Sequence, residues 1–80
     1  MGAISTIMSP TVLIFRSNIT TKESLNHAAG CLNTLSGVER WTVDLDDSDC
    51  VLRIETYSLC EQDVSSALEK IGIWCEDLGD

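Results

Sequence analysis

The segment from Trp41 to Glu55 leaves this chain little choice of fold. Trp41, Val43 and Leu45 alternate with Thr42, Asp44 and Asp46, and Cys50, Leu52 and Ile54 alternate with Val51, Arg53 and Glu55. Period-two alternation gathers the apolar residues on one face of a strand. Between the runs stands the polar cluster Asp46-Asp47-Ser48-Asp49, which favours a turn. Two alternating runs joined by a short turn make an antiparallel hairpin. Its apolar face must be covered, and the flanking segments have to supply the cover.

Those segments carry the right signals. Thr11-Val12-Leu13-Ile14-Phe15-Arg16 is rich in β-branched and aromatic residues and reads as a strand. Its apolar run occupies both faces, which predicts a central position. Thr20-Thr21-Lys22-Glu23 reads as a capping box with Thr20 as N-cap and Glu23 as its partner. Leu25, Ala28, Ala29, Leu32 and Leu35 follow at helical spacing and Gly37 supplies a stop, predicting a helix over residues 21–36. After the hairpin, Ser58-Leu59-Cys60-Glu61 is a second capping box. Val64, Ala67, Leu68 and Ile71 form the next stripe, Gly72 ends it, and Ile73-Trp74-Cys75 makes a last short strand. The order predicts an α+β, ferredoxin-like βαββαβ sandwich: a four-stranded antiparallel sheet with two helices on one face. Its expected core is Leu25, Ala28, Leu32, Val43, Leu45, Leu52, Ile54, Val64, Leu68 and Ile71.

Size and charge bound the function. Eighty residues suit one domain, expected over residues 11–80 behind a flexible leader at 1–10 that ends at the single proline. Such a chain holds a thin two-layer core and no deep active site. The formal net charge of −8 repels phosphate backbones and anionic lipid, so neither nucleic acid nor membrane is an expected partner. A basic protein surface is the electrostatic complement. Gly2 with Thr6 fits a myristoylation pattern, but the pattern is short and one acyl chain anchors only marginally. Secretory and membrane-spanning signals are not read, and the four cysteines are expected as free thiols in a cytoplasmic, reducing setting.

From Asn18 onward the chain resembles the heavy-metal-associated domain of copper chaperones and metal-pumping ATPases. Gly37-Val38-Glu39-Arg40-Trp41-Thr42-Val43-Asp44-Leu45 is similar to that family's Gly-Val-x-x-Val-x-Val-x-Leu run into the hairpin. Ala67-Leu68-Glu69-Lys70-Ile71-Gly72-Ile73 is similar to its second helix and final strand. The family ends its first strand in Met-x-Cys-x-x-Cys. Counted back from Gly37, those sulfur positions fall on Ile19, Thr21 and Ser24. The resemblance thus implies a metallochaperone-like scaffold with a degenerate metal motif at Thr21 and Ser24. Neutral hydroxyls are poor ligands for Cu(I) or Zn(II), so no metal cofactor is expected there.

Other candidates are weighed against simpler readings. Thr21 and Ser24 could meet an anion at a helix start, but capping already accounts for them. His27 and Cys31 share a helix side, yet two ligands do not complete a tetrahedral site. Cys31, Cys50 and Cys75 read as small core residues, the last two on inward strand positions. Cys60 opens the second helix, where amides lower a thiol's pKa, and is the reactive-thiol candidate. Asp44, Asp46, Ser48 and Glu55 fit part of a calcium loop, but Asp49 replaces its glycine and the flanks are strands. Asn18-Ile19-Thr20 matches a glycosylation acceptor that a cytoplasmic protein does not use. Trp41 is expected to face inward and Trp74 outward, as a contact anchor.

The sequence therefore predicts a small, non-catalytic protein-interaction module, docking a protein partner or a second copy. The alternative is metal-ion binding or transport, copper-chaperone-like, through a non-standard site.

Overall fold

A computed structural model describes residues 9–78. Six elements follow in the expected order: β1 (Thr11–Ser17), α1 (Lys22–Leu32), β2 (Val38–Val43), β3 (Leu52–Thr56), α2 (Glu61–Glu69) and β4 (Cys75–Asp77). The strands form one antiparallel sheet in the order β2-β3-β1-β4. Both helices cover one face, giving the ferredoxin-like sandwich. The leader expected over residues 1–10 lies outside the described residues for its first eight positions.

Alternation decides what is buried. β1 points Leu13, Phe15 and Ser17 at the helices, and β3 points Leu52, Ile54 and Thr56 the same way. Ala28 and Leu32 from α1, and Val64 and Leu68 from α2, close over them. Ile19 in the β1–α1 loop and Ile73 ahead of β4 complete the core, and the expected core list omitted both. β1 is central, as its composition predicts, but its second apolar face is not covered: Val12 is 40% exposed and Ile14 half-buried.

Two expected core residues are at the surface. Leu45 lies beyond the end of β2, in the turn of the hairpin, and is exposed. Ile71 is lost to the core because α2 stops at Glu69. The amides of Gly72 and Ile73 then bond back to the carbonyls of Glu69 and Leu68, with Gly72 at φ +83. This Schellman turn swings the chain round, so Ile73 takes the buried seat and Ile71 is left 42% exposed. Leu25 and Val43 pack against the core only partly buried.

Helix limits also differ from expectation. α1 ends at Leu32, not Ser36, with Thr34–Gly37 turning into β2. Gly37 is required there: its φ is +102, and a Cβ would meet the Leu59 and Ser58 side chains at 2.9 Å. Its carbonyl accepts from the buried Thr56 hydroxyl at 2.6 Å, while Thr56 Oγ1 accepts from the amides of Ser58 and Leu59 at 3.1 and 3.0 Å. Ser58 is thereby held in the loop, and Cys60, not Ser58, becomes the N-cap of α2. The last strand is Cys75–Asp77, later than the expected Ile73–Cys75, because residues 71–74 complete the turn.

Candidate functional site

The β1–α1 loop leaves the sheet at Ser17. Its hydroxyl donates to the Cys50 carbonyl at 2.7 Å and accepts from the Ile19 amide at 3.2 Å. Ile19 is fully buried and anchors the loop, which leaves Thr20 at the surface and Thr21 at the helix mouth. The N-cap is therefore Thr21, one residue later than expected, and its partner is Ser24 rather than Glu23.

The cap consumes both hydroxyls. Ser24 N donates to Thr21 Oγ1 at 3.1 Å, and Thr21 N donates to Ser24 Oγ at 3.1 Å. Ser24 Oγ in turn donates to the Thr21 carbonyl at 3.0 Å. The two oxygens lie 3.1 Å apart. These are neutral oxygen donors already paired with backbone, a set that does not fit a soft metal ion. Among the described residues, no group of three or more His, Cys, Asp or Glu side chains is placed to hold a metal.

Trp74 stands at the same end of the sheet. Asn18 N donates to the Trp74 carbonyl at 3.1 Å, and Trp74 N donates to Asn18 Oδ1 at 3.0 Å. This two-bond clamp fixes the backbone between α2 and β4. Ile73 on one side is buried, Cys75 on the other half-buried, and the indole between them 53% exposed. Trp74 shares a shallow hollow with Ser65, Glu69 and Gly72. The structure thus joins Trp74 to the loop that carries Thr21, through a residue the sequence marks only as part of a glycosylation triplet.

Cys60 stands apart. β1 and β3 run antiparallel, so the helices after them start at opposite ends of the sheet. Cys60 is exposed, its amide donating to Asp63 Oδ2 at 3.0 Å and its thiol to the same oxygen at 3.3 Å. These two bonds hold the Asp63 carboxyl below its ordinary pKa. Cys75 is half-buried opposite Ser17, and burial pushes its thiol up to about 11. Cys50 is buried, but at φ +45 in the hairpin turn and not on a strand as expected. Cys31 and His27 line a groove between the helices with Lys70 and Ile71. Burial raises the Cys31 thiol and the charge of Lys70 partly offsets this. Trp41 is half-buried against the core, its Nε1 donating to Asn33 Oδ1 at 2.9 Å. In the acidic turn, Asp44 and Asp47 side chains accept from the amides of Asp46 and Asp49 at 3.1 and 2.8 Å, ordinary turn chemistry.

Comparison with solved structures places this architecture. The HMA domain of a copper chaperone for superoxide dismutase superposes with a TM-score of 0.74 at 24% identity, over 99% of this chain and 79% of that one. The N-terminal domain of a potential copper-translocating P-type ATPase from Bacillus subtilis gives 0.75 at 20% identity, over 90% of each chain. A yeast copper transporter domain gives 0.70 at 22% identity, over 86% of this chain and 96% of that one. The chain has the HMA fold. No family model and no curated protein sequence matches it. Among the described residues, no helix is long and apolar enough to cross a membrane.

Proposed function

We propose that this HMA-like chain is a non-catalytic protein-interaction module of the cytoplasm, whose metal loop has become a plain helix cap. The observation that carries this reading is the Thr21–Ser24 pair. Its three-residue spacing at the start of α1 is that of the family's thiols, and every hydroxyl is spent on the backbone. Trp74, rigidly held beside that loop, supplies an aromatic contact anchor. Glu69 in the same hollow favours a basic partner surface, or a basic patch on a second copy.

The test is an association measurement on the native protein and a Trp74→Ala variant, by titration with a lysine-rich peptide and by sedimentation over a concentration series. Association should weaken with added salt and drop by about 1 kcal/mol or more in the variant while the fold is kept. A protein that stays monomeric, binds no such peptide and is indifferent to the change would remove support. The second reading, metal binding at a non-standard site, draws on the copper-binding names of its structural neighbours and on the His27–Cys31 groove. Metal titration of the native protein separates the two.

A further inference from the structure

The helix-free face of the sheet has a charge character unlike the rest of the chain. The register puts all three arginines there: Arg16 on β1, Arg40 on β2 and Arg53 on β3. Of the 13 acids, only Glu55 and Glu76 occupy paired strand positions on that face, and of the 5 bases only Lys22 and Lys70 lie elsewhere. Arg16 is engaged, with Asp49 at 3.0 Å and Glu76 at 3.6 Å. Arg40 and Arg53 make no ion pair among the described residues. Arg40 faces Glu55 and is the diagonal neighbour of Arg53, a placement that sets two guanidinium stems about 7–8 Å apart at the backbone.

Beside them runs uncovered apolar surface. Val12 pairs with Glu55 and Ile14 with Arg53, and neither side chain is shielded by a helix. An exposed valine and a half-buried isoleucine bordered by arginines without ion pairs have the make-up of a protein contact, where arginine is enriched and lysine depleted. We propose that this face docks a partner protein surface of apolar side chains flanked by carboxylates, met by Arg40 and Arg53. Charge complementarity selects that occupant. The acidic α2 and the acidic hairpin turn disfavour such a partner on their own surfaces, which orients its approach. Screening over about 8 Å at physiological salt keeps that repulsion from reaching across the contact. A second copy is a poorer occupant, since docking face to face would set arginine against arginine.

The inference rests on the interaction reading but uses a surface distinct from Trp74, so each fails separately. The experiment is an amide-resolved NMR titration of the native protein with a synthetic amphipathic peptide of leucine and glutamate. Parallel titrations use the same peptide with lysine for glutamate, and phosphatidylserine vesicles. Shifts should centre on Val12, Ile14, Arg40 and Arg53, and only with the acidic peptide. Arg40→Glu combined with Arg53→Glu should weaken binding by about tenfold or more, and Arg40→Gln with Arg53→Gln by less, both with unchanged spectral dispersion. Trp74→Ala should leave this binding intact. Absence of shifts on this face, equal shifts on this face with the lysine peptide, preference for vesicles, or self-association through the face would overturn the proposal, whereas lysine-peptide shifts confined to Trp74 and Glu69 belong to the other surface.

Discussion

Thr56 is fully buried and its hydroxyl serves three backbone groups, the Gly37 carbonyl and the amides of Ser58 and Leu59. Valine has the same shape but leaves all three unpaired, so Thr56→Val should cost about 1–3 kcal/mol in urea unfolding. Nothing in the sequence marked this residue, because its partners lie in two different turns. The cysteines separate by the same logic of exposure. Cys60 should be alkylated first by iodoacetamide, with peptide mapping as the readout, and Cys50 and Cys75 last. Cys75 also predicts a pH effect. Burial pushes its thiol up to about 11 in the fold, above the ordinary value of 9.0, so the unfolded chain loses that proton first. Stability from this group is complete below pH 9 and declines as pH rises from 9 to about 11. Cys75→Ala should flatten that part of the stability profile, and an unchanged slope would refute the assignment.

At the scale of elements, the alternation around Asp46–Asp49, the two helical stripes and the apolar runs at Thr11–Arg16 and Ile73–Cys75 were enough to name the strands and helices in order. Their ends were less legible, because ends are set by tertiary bonds. Thr56 holds Ser58 out of α2, Ile19 moves the first cap to Thr21, and the Gly72 turn exchanges Ile71 for Ile73. Leu32 and Leu68 sit where the two stripes meet the sheet, both essentially without exposed surface. Leu32→Ala or Leu68→Ala should each cost about 2–5 kcal/mol. The exposed cap is a smaller matter: Thr21→Ala should cost about 0.5–2 kcal/mol, measured by thermal unfolding, and a zero effect would mean that Ser24 caps alone.

Across the whole molecule, the two ends of the sheet and its two faces hold different chemistry. The spacing of Thr21 and Ser24 was readable in the sequence, as was the outward side of Trp74. Their joining through Asn18 was not, since that clamp spans 56 residues of chain. The grouping of the arginines emerged only with the strand register, which sets Arg53 between Thr42 and Ile14. We propose that an HMA-like scaffold here keeps its geometry without metal ligands at Thr21 and Ser24. The direct measurement is a competitive Cu(I) titration, with native mass spectrometry, of the unmodified protein and of the Thr21→Cys, Ser24→Cys double variant. Only free-thiol background is expected in the first and one tightly held copper in the second, because the spacing and the helix start are already in place. Tight, stoichiometric copper in the unmodified protein would contradict it.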